Sequence, residues 1–253
     1  MEDQPQSEFQ PERQRHILVG IAAWVKNHKI LFATFCLVSL LLLDLLTLPF
    51  DEVEKLQTIN PTETAFMRDH TERARMKGKT PRIAQRWVPL SQISRDIVNA
   101  VIVAEDGTFW RHSGFDWFEF KESFQRNITD GMAVRGASTI TQQLVKNLFF
   151  SSSKNPLRKL REWVLTWWME RELTKARILE IYLNVIEWGD GIYGIETAAQ
   201  TYFGKSAVEI GRDEAARLAA VIPSPKRRRP DSESSYVERR AELILSRMVA
   251  RGM

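Results

Sequence analysis

Cysteine is almost missing from this chain. Cys36 stands alone, so no intrachain disulfide can form, and within its apolar run it reads as a small hydrophobe. There is no CxxC pair and no His/Cys cluster, which argues against a structural zinc site. Strand-like alternation is scarce and no segment repeats, so neither a sheet-built fold nor a solenoid is expected. Charge of one sign is also lacking. The formal balance is +4, a mild basic bias that suits anionic lipid heads or a phosphorylated substrate. Only Lys226 to Arg229 speaks for nucleic acid, and that run reads more simply as a solvated or lipid-facing patch.

What is present is an ordinary folding composition, 43% hydrophobic and 27% charged over 253 residues. Residues 1–29 open with a polar, Gln/Glu/Arg-rich stretch expected to be disordered. From Ile30 to Leu43 no charge interrupts the apolar residues. Asp44 breaks the run once before it continues to Leu48. Residues 30–49 therefore predict a membrane-spanning helix of about 20 residues, with Asp44 toward an interface. The alternatives are a buried soluble helix and a cleaved signal peptide. The long polar lead-in and the missing small-residue cleavage site weigh against the latter. Arg13, Arg15, Lys26 and Lys29 precede the span, whereas Asp51, Glu52 and Glu54 follow it. This asymmetry places the N-terminus in the cytoplasm and the rest outside.

Beyond a charged connector, 50–80, the stretch 81–253 reads as one mainly α domain. Pro81 to Pro89 is expected to be extended. Helical stripes run through Ser91–Ala104, Thr139–Phe150, Leu157–Ile186, Ile195–Phe203, Glu214–Val221 and Val237–Met248. Gly204 falls where a helix C-cap is expected. Trp117 to Ile128 is rich in aromatics.

Five stretches stand out chemically. The first, Ala104 to Asp116, sets Glu105 and Asp106 at the end of an apolar segment, close to His112 and Gly114. A carboxylate at the lip of a cleft can move protons, though adjacent acids at a helix end are also commonly just a solvated terminus. The second, Gly136 to Asn147, carries Ser138, Thr139, Gln142, Gln143, Lys146 and Asn147. These are either caps and surface polar groups or a site for sugar hydroxyls and phosphate. In the third, Arg158, Lys159 and Glu162 offer either an intrahelical ion pair or cations for a leaving phosphate. The fourth, Lys175 to Asn184, and the fifth, Gly191 to Lys205, read as architectural.

In this order the five stretches match EDxxFxxHxGxD, GxSTITQQLxKN, RKxxE, KxxILExYLN and GxxGxxxAAxxYFGK. The chain thus resembles the biosynthetic peptidoglycan glycosyltransferases over roughly residues 85 to 225. The resemblance implies a lysozyme-like helical fold with a head lobe and a smaller membrane-proximal lobe, after one N-terminal transmembrane helix. It implies an enzyme on the periplasmic face of a bacterial inner membrane that polymerises lipid II with inversion, releasing undecaprenyl pyrophosphate. Glu105 would be the general base and Glu162 the second catalytic acid. Lys146, Arg158 and Lys159 would meet the pyrophosphate, while Asp106, Ser138, Gln142, Gln143 and Asn147 shape the substrate site. No cofactor is obligatory. A divalent cation, Mg or Mn, at the donor pyrophosphate with Glu162 as ligand is the one optional metal. Expected partners are lipid II, the lipid-linked glycan, the membrane and optionally cell-division or wall-synthesis proteins, with no nucleic acid. The larger relatives carry a penicillin-binding transpeptidase domain next, for which 253 residues leave no room.

Two rivals remain. A glycan-cleaving enzyme on a similar fold also needs a glutamate, but never meets a pyrophosphate leaving group. A non-catalytic scaffold does not need both acids. The span predicts that the full chain is extracted only with detergent, and its recovery in the soluble fraction would contradict the span.

Overall fold

The computed structural model describes residues 28–117, 121, 138–150 and 156–253. It divides into two compact units, Met1–Leu48 and Pro49–Met253. In the first, helix α1 (Lys29–Leu46) buries none of its residues. By length and composition alone it is apolar enough to cross a membrane. Arg13, Arg15 and Lys26, which carry most of the orientation argument, lie outside the described residues.

The second unit is helical with one small sheet. The stretch 50–80, expected as a connector, carries α2 (Phe50–Lys55) and α3 (Ala65–Met76). Val53 and Met67 are buried, so both helices belong to this unit's core. Next come β1 (Ala84–Gln85), α4 (Arg95–Glu105), α5 (Ile140–Phe149), α6 (Pro156–Glu172) and α7 (Lys175–Val185). Then follow β2 (Glu187–Gly189), β3 (Ile192–Tyr193), α8 (Ile195–Phe203), α9 (Arg212–Val221) and α10 (Ser235–Ala250). The single segment expected over Leu157–Ile186 is therefore two helices. Thr174 starts the second by accepting from the Arg177 amide. Of the aromatic stretch Trp117 to Ile128, all but Trp117 and Lys121 lies outside the described residues, as do Gly136 and Ala137.

Two groups of helices make the core. In one, α4 packs against α9 and α10. Ser94 caps α4 by accepting from the Ile97 amide, and Ile97, Ala100 and Val101 are fully buried. The alanines of α9, Ala215, Ala216, Ala219 and Ala220, are fully buried and allow close helix approach. In the other group α5 packs against α3, α6 and α7. The sheet has the order β1-β3-β2, with β1 parallel and β2 antiparallel to β3. Gly191 turns the chain between β2 and β3 at φ +76°, where a Cβ would lie 2.2 Å from the Arg82 carbonyl oxygen.

One buried polar residue ties the extended segment to the helices. The Asn184 side chain accepts from the Val88 amide at 2.9 Å and donates to the Val88 and Glu180 carbonyls at 2.8 Å each. Glu180 accepts from the Leu90 amide, and Arg177 reaches the carbonyls of Leu56 and Ile59. Three polar residues of the fourth stretch, Arg177, Glu180 and Asn184, are thus used to hold the fold together. Asn184→Ala strands the buried Val88 amide and should cost about 3 kcal/mol in denaturant unfolding. Thr139→Ala, which removes a helix cap, should cost about 1 kcal/mol. A loss at Asn184 no larger than at Thr139 would contradict this placement.

Candidate active site

The two helix groups face each other across a cleft of about 980 Å³. Glu105 closes α4, and its side chain is only 11% exposed. Gln143 on α5 donates from Nε2 to Glu105 Oε2 at 2.9 Å. Arg240 on α10 stands 3.4 Å from Oε1. Burial pushes the Glu105 carboxyl above the ordinary glutamate value. The Gln143 hydrogen bond and the Arg240 charge pull it back, and the Asp106 charge pushes it further up. A helix C-terminus also presents partial negative charge, an unwelcome neighbour for a carboxylate. The carboxyl therefore holds a proton more readily than an ordinary glutamate.

Asp106, one residue on, is used differently. Its carboxylate meets His112 Nε2 at 2.9 and 3.1 Å and accepts from the Ile140 amide at 2.9 Å. It therefore sits at the N-terminus of α5, where negative charge is favoured. His112 Nδ1 accepts from the Gly114 amide, so the ring proton belongs on Nε2, facing Asp106. Gly114 adopts φ +88°, and a Cβ there would lie 2.9 Å from Thr166 Cγ2. The conspicuous Asp-His-Gly set thus locks the end of α4 to the start of α5.

Gln142 is likewise spent locally. Its Oε1 accepts from the Thr139 amide while Thr139 Oγ1 accepts from the Gln142 amide, a complete capping box. Ser138, Gln143, Lys146 and Asn147 line the cleft, and Asn147 donates back to the Gln143 carbonyl. From α6, Lys159 and Glu162 line it too. Glu162 is buried between Arg158 Nε at 3.1 Å and Lys159 Nζ at 3.4 Å, so the intrahelical ion pair is present. Arg158 does not line the cleft. Lys146 has no carboxylate within ion-pair distance among the described residues, and its ammonium sits 5.6 Å from the Phe66 ring centre. Burial, then the Arg158 charge, lowers its pKa. Glu162 opposes this and Lys159 adds to it.

Sequence reading missed the far wall. Arg240, Arg247 and Arg251 line the cleft from α10 and the residue after it, and Lys226 and Arg227 add to that side. Spacings of seven and four put the three arginines on one helical face. That stripe was the available signal. Tyr182, read as architectural, also reaches the site by donating to Gln143 Oε1 at 2.9 Å.

The metal expectation fits poorly at Glu162. Its carboxylate is already enclosed by two cations, and the one convergent donor group among the described residues is elsewhere, at His70, Glu187 and Asp190. There Lys226 Nζ stands 3.2 Å from both Glu187 Oε1 and His70 Nδ1, already supplying a positive charge.

The helical domain thus carries a cleft that sets a nearly buried glutamate among many cations, a charge pattern complementary to an anionic ligand. A family model described as Transglycosylase matches residues 73–249. Three relatives carry the name "Biosynthetic peptidoglycan transglycosylase". That of Nitrosospira multiformis is 41% identical, covering 79% of this chain and 87% of the relative. That of Janthinobacterium sp. (strain Marseille) is 43% identical, covering 75% and 82%. That of Thiobacillus denitrificans is 46% identical, covering 73% and 80%. The chain belongs to the transglycosylase family, and its mainly helical, lysozyme-like domain is the fold expected from its motifs.

The Glu105 setting has a stability consequence. Its folded pKa lies above its unfolded one, so the folded state holds the proton more tightly. The penalty for ionising it is absent below the ordinary glutamate value and complete above the raised one. Glu105→Gln should therefore melt higher than the parent at pH 8, and the gain should fade toward pH 4. Equal melting at pH 8 would contradict the burial of a charged carboxylate.

Proposed function

We propose that this chain polymerises lipid II into β-1,4-linked glycan, with Glu105 as the base of an inverting displacement. One observation carries the reading: a carboxylate raised by burial, held by one amide and one guanidinium, opens onto a cleft with cations on both sides. The acceptor sugar's 4-hydroxyl gives its proton to Glu105 as its oxygen attacks the donor's anomeric carbon. The bond from that carbon to the pyrophosphate breaks on the opposite face, so the α-linkage becomes β. No covalent enzyme intermediate is needed.

Lys146 and Lys159 receive the departing pyrophosphate. The Lys146 ammonium, partly desolvated and with no carboxylate in ion-pair range among the described residues, is a strong point charge for an incoming phosphate. Arg158 acts behind them by holding Glu162, and Glu162 keeps Lys159 in place. The protein's own cations take the part a divalent ion would play, so no step is assigned to a metal. The α10 arginines supply positive charge on the Glu105 side, where a second lipid-linked pyrophosphate would arrive with the acceptor. Asp106 and Gln142 shape the site as clasp and cap. Ser138 and Asn147 remain as polar groups facing substrate, and Gln143, whose amide is taken up by Glu105 and Tyr182, acts through Glu105.

Localisation follows the same reading. α1 anchors the chain in the inner membrane with the N-terminus cytoplasmic and the catalytic domain periplasmic. Trp110 and Trp117 are 51% and 67% exposed, and Trp163 and Trp167 on α6 are also exposed, which suits a surface lying against lipid. Phe109, by contrast, is core.

Glu105→Gln should lower lipid II polymerisation, read on gels, by at least about 100-fold. Full activity in that variant would remove the base assignment. Lys146→Met should weaken donor binding roughly tenfold or more, and unchanged donor affinity would count against its role. Incubation with purified cell wall should release no fragments, whereas release would favour the glycan-cleaving alternative.

A further inference from the structure

Tyr182 on α7 is fully buried, and a buried phenol must find a partner for its hydroxyl. It finds Gln143 Oε1 on α5 at 2.9 Å. The same amide donates from Nε2 to Glu105 Oε2 on α4, also at 2.9 Å. A carboxamide has a donor end and an acceptor end that exchange when it turns over. Turned over, Gln143 would press its carbonyl oxygen against the carboxylate and leave the tyrosine proton without an acceptor. One orientation satisfies all three groups, and the tyrosine proton selects it.

We infer that Tyr182 is a positioning residue for Glu105: its hydroxyl, by donating to Gln143 Oε1, keeps the amide NH₂ group turned toward the carboxylate. This rests on Glu105 being the base. Tyr182 itself stays neutral, its pKa pushed well above the ordinary tyrosine value by burial and then by the charges of Glu105 and Asp106. It contributes a fixed direction, not a proton to the reaction.

The surroundings of Glu105 make the consequence readable. Beside Tyr182 and Gln143, the titratable or charged groups acting on it are Asp106 at the end of its own helix and Arg240 from α10. From α9, which also packs on α4, the buried residues are alanines, Leu218 and Val221, and its one printed charge contact with α4, Arg212 with Asp96 at 3.7 Å, lies at the far end of α4 from Glu105. Lys146, Glu162 and Arg247 share the cleft at large. Losing the tyrosine proton frees the amide to turn, so the carboxylate loses a donor while keeping Arg240. Its charged form is then less favoured, and the base stays protonated to higher pH.

The test is the pH profile of kcat/KM for lipid II polymerisation by the full chain in detergent. The set is Tyr182→Phe, Gln143→Ala, the double variant and Glu105→Gln. Tyr182→Phe should move the acid limb to higher pH by roughly half a unit to one unit, with the alkaline plateau within a few-fold of the parent. Gln143→Ala should move it the same way, and the double variant no further than Gln143→Ala alone. A loss of activity at all pH values with the limb in place would overturn the inference, as would additive shifts in the double variant. Should Tyr182→Phe fail to fold, an unmoved limb in Gln143→Ala overturns it equally. An inactive Glu105→Gln beside an unmoved limb removes only this inference, whereas an active Glu105→Gln removes the base reading with it.

Discussion

The cleft depends on the burial of one carboxylate. Glu105 ends an apolar helix whose other residues drive it into the core, so its charged form sits where water is scarce. Among the described residues, Gln143 and Arg240 answer that charge, one from each helix group. The fold thus maintains a site that costs it stability near neutral pH. A fully compensated carboxylate would be a poor proton acceptor, and an uncompensated one would never ionise.

Its neighbour shows how strongly position decides chemistry. Asp106 is one residue away, yet it points at the N-terminus of α5 and at His112. Two adjacent acids are therefore placed differently, one with a raised proton affinity beside the cleft and one joining the end of α4 to the start of α5. A similar division runs through the basic residues. Arg158 is committed to Glu162, whereas Lys146, with no carboxylate in ion-pair range among the described residues, faces the cleft.

Much of this was legible in the residues. The apolar stripe of α4, the capping pattern at Thr139–Gln142 and the cap at Gly204 follow from local physics, and the helices formed where those signals lay. The five stretches in order pointed to the family, and they contain Glu105 and Glu162, which both line the cleft. What could not be read was anything set by contact across the chain. Arg240 lies 135 residues from Glu105, and nothing local ties them. Gln142 and Gln143 look equivalent in sequence, but one caps a helix and the other holds Glu105, because consecutive helical residues face different directions. The segment 50–80 has few apolar residues, so the burial of Val53 and Met67 was invisible until their partners were in place.

The central claim is that Glu105 is held with a raised proton affinity by burial. Its most direct test is a site-resolved titration of the Glu105 side-chain carboxyl by carbon NMR on the full chain in detergent, with Glu105→Gln used to assign the signal. A midpoint clearly above the ordinary glutamate value is expected, moving higher still when Arg240 is replaced by alanine. A midpoint at or below the ordinary value, or one indifferent to Arg240, would contradict it.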